Sequence, residues 1–175
     1  MVNRGGWRPA AASRLDAGRE LLLLGDGKGG LRAMPGQESG IKVYGEQRGA
    51  AVGDFNEDGR ADLAVTQNGA RTKLFQNMSA KPGVRVRLKG GEGNPRAIGA
   101  VLRLKASDGL GPAREIHAGS GYLSQDGPVV VLSAPEPPAA LQVRWPGGRT
   151  LTYLIPPDAR EVTLDPAGKL TPSVR

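Results

Sequence analysis

The chain has 175 residues, enough for one medium domain or two small ones, and 38% are hydrophobic, too many for a disordered tail. It contains no cysteine, which excludes disulfides and thiolate zinc sites. Its net charge of +7 is uneven: between Arg71 and Arg114 ten basic residues stand against two acids, a local excess of +8 that leaves about −1 for the rest.

Gly (27) and Pro (14) make up over a fifth of the chain and punctuate short apolar runs. No window of a dozen residues sustains a 3.6-residue apolar period, while several alternate with period two, so the chain reads as all-β. Near the N-terminus the longest purely apolar stretch is the four leucines 21–24. That is too short for the centre of a signal peptide, and a membrane span needs about 20 apolar residues. The following "GDGKGG" (25–30) lacks the spacing of a phosphate-binding loop and precedes no helical pattern, so it is read as a hairpin turn.

The next segment, "GAAVGDFNEDGRADLAVTQNG" (49–69), carries oxygen side chains at positions 1, 3, 5 and 9 of a nine-residue loop: Asp54, Asn56, Asp58 and Asp62. Gly59 stands at position 6, where a sharp turn requires a positive φ, and the Arg60 carbonyl is the expected backbone ligand. Hard oxygen ligands at this spacing suit calcium, which takes six to eight oxygens at about 2.3–2.6 Å. The helix–loop–helix calcium motif is excluded: its position 12 demands a bidentate Glu and here holds Val65, and the flanks read as strands. Asp, Asn and Gly also favour plain turns, but four spaced oxygens with a correctly placed Gly favour a structural metal loop. Catalysis by these carboxylates is disfavoured, since ligands neutralised on one ion are poorly placed to exchange protons.

Beyond residue 80 seven short strands are expected, at about 84–89, 100–105, 113–118, 128–133, 140–145, 149–154 and 160–164, a spacing typical of a small sandwich or barrel. In "VRVRLK" the alternation turns Val84, Val86 and Leu88 inward and Arg85, Arg87 and Lys89 to water. His117, the one histidine, has Ser120, Ser124 and Asp126 nearby, but no nucleophile elbow surrounds it; a strand-end histidine is the expectation. Trp145 ends an apolar strand face and is assigned to the core. The basic stretch offers a second candidate site: Arg85, Arg87, Lys89, Arg103 and Lys105 could bind a polyanion such as an acidic glycan, or simply be solvated strand faces. Aromatics are only 4%, so stacking on nucleic-acid bases has little to work with, and no specific nucleic acid is expected.

Residues 49–77, with "DFNEDGRADL" from Asp54 to Leu63, resemble the FG-GAP/VCBS repeat, the blade unit of calcium-binding β-propellers. The second half resembles the ASPIC/UnbV domain of the cartilage acidic protein family. Its matching phrases are N-x-x-x-I-G-A (Asn94 to Ala100), G-S-G-Y-L-S-Q (Gly119 to Gln125) and W-P-x-G (Trp145 to Gly148). The resemblance departs at 129–138, where "VVVLSAPEPP" replaces an apolar-glycine stretch. It implies an N-terminal segment or end of a preceding blade at 1–20, a repeat region at 21–80, a small β-sandwich-like domain at 81–165 and a flexible tail at 166–175. A propeller needs at least about four blades to close, so the chain is expected to be the C-terminal part of a longer protein. Otherwise the partial blade would pack on the second module or on another copy. The implied function is a non-enzymatic, Ca2+-binding adhesion or interaction module, extracellular, periplasmic or at the cell surface, with a protein or glycan partner. The alternatives are an accessory protein in a biosynthetic cluster and a polyanion binder.

Overall fold

The computed structural model describes residues 21–107, 109–133 and 140–173. The expected N-terminal segment 1–20 and residues 134–138 of the remodelled stretch lie outside them. The described chain is almost entirely β. Strands β1 (Leu22–Gly25) and β2 (Leu31–Met34) form an antiparallel hairpin on the "GDGKGG" turn. Asp26 Oδ1 closes that turn by accepting the Lys28 and Gly30 amides at 2.7 and 2.9 Å. A four-residue helical turn, α1 (Gly36–Ser39), follows and ends at Gly40 in the left-handed region.

Strands β3 (Glu46–Gly53), β4 (Asp62–Asn68) and β5 (Ala70–Phe75) make a three-stranded antiparallel meander, with the Asp-rich loop joining β3 to β4. This region buries little: Val65 in β4 and Val43 just before β3 are its enclosed large apolar side chains, whereas Val52 and Leu74 in the sheet and Phe55 in the loop are exposed. Its apolar surface is thus largely uncovered.

The second module holds the core. One sheet runs β10 (Val129–Leu132), β6 (Val84–Leu88), β13 (Glu161–Leu164), β14 (Leu170–Ser173). The other runs β12 (Thr150–Leu154), β11 (Ala140–Arg144), β7 (Val101–Ala106), β8 (Gly109–Leu110), with β9 (Arg114–Glu115) also on β7. Val84, Val86, Leu88, Val162 and Leu164 from the first sheet meet Leu102, Leu104, Leu141 and Val143 from the second in one cluster, a sandwich core. Trp145 belongs to it, as expected; its Nε1–H donates to the Tyr153 hydroxyl at 3.0 Å, and that hydroxyl donates to the Asp165 carbonyl.

Three strand expectations are corrected. The strand expected at 113–118 shortens to Arg114–Glu115, because β7 offers it only Val101 and Leu102 before Gly99 turns the chain at φ +86°. Residues 109–110 form a short strand that the sequence reading lacked. Where a tail was expected after 165, Leu170–Ser173 pair antiparallel with β13. Pro172 is tolerated there because β14 is an edge strand, where a missing N–H breaks no further ladder.

The motif phrases of the second half have structural explanations. Asn94 binds the Ile98 carbonyl and amide, both at 2.9 Å, clamping a loop that lowers Ala97 and Ala100 into the core. The 119–125 phrase makes a tight turn closed by the Ser120 amide on the Ser124 carbonyl.

Since the core lies in the sandwich, Leu141→Ala (0% exposed) is expected to cost about 2–5 kcal/mol in urea unfolding, whereas Phe55→Ser (69% exposed) stays within about 0.5 kcal/mol. Comparable losses from both would mean the blade, not the sandwich, carries the core.

Candidate metal loop and the adjoining basic cleft

The loop between β3 and β4 is built by its own Asx side chains. Glu57 (φ 60°) and Gly59 (φ 81°) take left-handed conformations that turn successive amides inward. Asp54 Oδ1 accepts the Asp58 amide at 3.0 Å and Oδ2 the Gly59 amide at 2.9 Å; Asp58 Oδ1 accepts the Arg60 amide at 2.9 Å. Asp62, 3% exposed, ties the start of the loop to the segment after β5: Oδ2 accepts from the Phe55 amide at 3.1 Å and Oδ1 from the Asn77 amide at 2.8 Å. Gly59 is needed for space as well as for φ, because a methyl there would lie 3.1 Å from the Gly83 carbonyl oxygen and 3.2 Å from the Pro82 ring.

The loop is joined to the sandwich by charge. Arg85 was expected to face water; instead it is 6% exposed, because the Asp-rich loop covers the outer side of β6 at that point. Its guanidinium contacts Asp54 Oδ2 at 2.5 Å, Glu161 Oε2 at 2.8 Å and Glu57 Oε1 at 3.6 Å. Burial works against the positive charge, but the Glu161 and Asp54 contacts more than offset it and hold the group protonated. Further hydrogen bonds run alongside: backbone to backbone from the Gly83 amide to the Gly59 carbonyl at 2.7 Å and from the Gly127 amide to the Val52 carbonyl at 2.8 Å, and from the Val52 amide to the Asp126 side chain at Oδ1, 2.8 Å.

The donor set of Asp54, Asn56, Asp58, Asp62 and the Arg60 carbonyl is all oxygen and suits a hard cation such as calcium. In the conformation described, the negative charges are met from within. Arg85 contacts Asp54, and Asp58 Oδ2 accepts from Arg60 at 3.0 Å and Asn56 at 2.9 Å. Among the described residues no three carboxylates converge as a formed metal cluster.

Of the candidate polyanion residues, Arg87, Lys89 and Arg103 line one open cleft of about 1120 Å³ beside the loop, while Arg85 and Lys105 do not. Arg96, Arg114 and Arg144 line it too. Arg144 was missed because charge was counted along one stretch of chain, not across the sheet. Its position next to inward Val143 was the available signal. His117 is exposed, 3.9 Å from Glu115, and Asp126 is engaged by Val52; neither joins a serine in a triad.

The Asn56 amide foremost, opposed by partial desolvation and helped by the Arg60 amide and guanidinium, holds the Asp58 carboxyl below the usual carboxylate range. A carboxylate depressed on folding stabilises above its unfolded value of 3.8 and loses that stabilisation as pH falls through the lower folded value. In EDTA, the stability gap between wild type and Asp58→Asn should therefore narrow below about pH 3.8. A gap in urea unfolding that is the same at pH 3 and pH 6 would contradict this.

Family models match two segments: FG-GAP repeat over residues 48–74, which spans most of β3 to β5, and ASPIC and UnbV over residues 90–170, which spans most of the sandwich. No curated protein matches the chain. The two matched segments stand in the order that the sequence resemblance implied, FG-GAP repeat and then ASPIC/UnbV domain.

Proposed function

We propose that this chain is a non-enzymatic, calcium-binding interaction module of an extracellular-type repeat protein. The observation that carries the reading is the β3–β4 loop: a closed turn of oxygen donors whose charge and backbone are tied to the neighbouring sandwich. The side chains of Asp54, Asn56, Asp58 and Asp62 and the Arg60 carbonyl would hold the ion, which when bound supplies a divalent charge fastening β3 to β4. The chain's own residues prepare that position. Asp62 ties the start of the loop to the segment after β5, Gly59 makes the turn, and Arg85 and Glu161 anchor it to β6 and β13.

FG-GAP repeats are typical of extracellular proteins, and no helix among the described residues is long and apolar enough to cross a membrane. Adhesion or matrix interaction is the role such a module fits. The assignment to binding rather than catalysis draws on His117, which meets Glu115 at the surface and no nucleophile.

Thermal unfolding in EDTA and in millimolar calcium tests this reading. With calcium at ten times its dissociation constant, linkage gives about 1.4 kcal/mol, or roughly 3–6 °C for a domain of this size. That shift should vanish in Asp58→Ala. A wild-type transition indifferent to calcium would remove the calcium reading.

A further inference from the structure

Six cations line one cleft, and strand alternation turns three of them out of the core. On β6, β7 and β11 the residues next to Arg87, Arg103 and Arg144 point into the core: Val86 and Leu88, Leu102 and Leu104, and Val143. The arginines are therefore turned outward. Arg103 lies opposite Gln142 and Arg144 opposite Val101, so the two arginines are diagonal neighbours on one sheet face, about 7–8 Å apart. Lys89 and Arg96 add charge from the loop after β6, and Arg114 from β9.

These cations are largely uncompensated. Arg87 has a 3.5 Å contact with Glu161, which it shares with Arg85. Among the described residues Lys89, Arg96, Arg103, Arg114 and Arg144 form no ion pair, although Asp54, Glu115 and Asp126 also line the cleft. Two of those acids are already engaged, Asp54 by Arg85 and Asp126 by the Val52 amide. Like charges held together on a fixed scaffold repel one another, and an anion that spans them relieves that repulsion.

We propose that this cleft binds a linear acidic polysaccharide. Arginine presents a planar fork that takes carboxylate or sulfate through two parallel hydrogen bonds. The neutral polar side chains of Gln142, Thr150 and Thr163 beside the arginines suit sugar hydroxyls. The cleft is open and fed by several strands and loops, which admits a chain rather than a single small ion. Among the described residues no Phe, Tyr or Trp lines it, so they offer no stacking platform of the kind that single-stranded nucleic acids use.

The proposal names a partner for the interaction role above, and so rests on it, but it does not require calcium. The test is titration calorimetry of the whole chain with heparin, a sulfated glycan, and with polygalacturonate, a carboxylated one, in EDTA at low salt. Binding to either supports the proposal and identifies the anionic group. Arg103→Ser with Arg144→Ser should weaken binding at least tenfold. Arg71→Ser with Lys81→Ser, which removes the same charge outside the cleft, should change it less than threefold. Equal losses in the two double variants would reduce the effect to net charge and overturn the proposal. So would no binding to either glycan, or a single-stranded oligonucleotide of matched charge binding as tightly. Unchanged unfolding midpoints confirm that the variants are folded. Because the titration is run in EDTA, glycan binding without a calcium-induced thermal shift would sink only the metal reading; a shift without glycan binding would sink only this one.

Discussion

A guanidinium taken out of water must find negative partners, and that constraint joins the two halves of this protein. Arg85 leaves the outer side of β6 and meets Asp54 from the blade and Glu161 from the parallel neighbour β13. A buried charge left unpaired is costly, so the three side chains are fixed together. The pairing orients Asp54, which in turn holds the amides of Asp58 and Gly59. The blade's attachment to the sandwich thus depends on where Arg85 points, together with the backbone bonds beside it.

The division of labour between the modules follows from burial. The sandwich has a continuous apolar core and the three-stranded blade does not, so the blade relies on backbone and charge contacts at its border with the sandwich. Those contacts leave one side of the border acidic and internally compensated. The adjoining side is basic and open, which places a cation loop and an anion-attracting cleft next to each other.

Much of this was legible in the sequence, for physical reasons that also mark where legibility ended. The alternation in "VRVRL" gave both the strand and its inward valines, because a pleated strand turns alternate residues to opposite faces. The same rule misplaced Arg85, since alternation reports which side of a sheet a residue takes and not whether another module covers that side. The pairing of β6 with β13 joins residues more than seventy positions apart and leaves no local trace. The Asp-rich loop was visible because its spacing is local; the charge that meets it, Arg85, was not. Arg144 reaches the cleft through sheet register, so a count of charge along the chain, which ended at Arg114, missed it. Strand β14 was hidden by Pro172, which discourages a strand reading except at an edge.

The most direct test of the account is a double-mutant cycle on Asp54→Asn and Arg85→Met, read by urea unfolding in EDTA. Removing one partner of a buried pair should cost about 3 kcal/mol, and the double variant should cost less than the sum of the singles by at least about 1 kcal/mol. That coupling is expected if the pair joins the blade to the sandwich. Losses that add within about 0.5 kcal/mol would show that the two residues act independently, and would contradict the account.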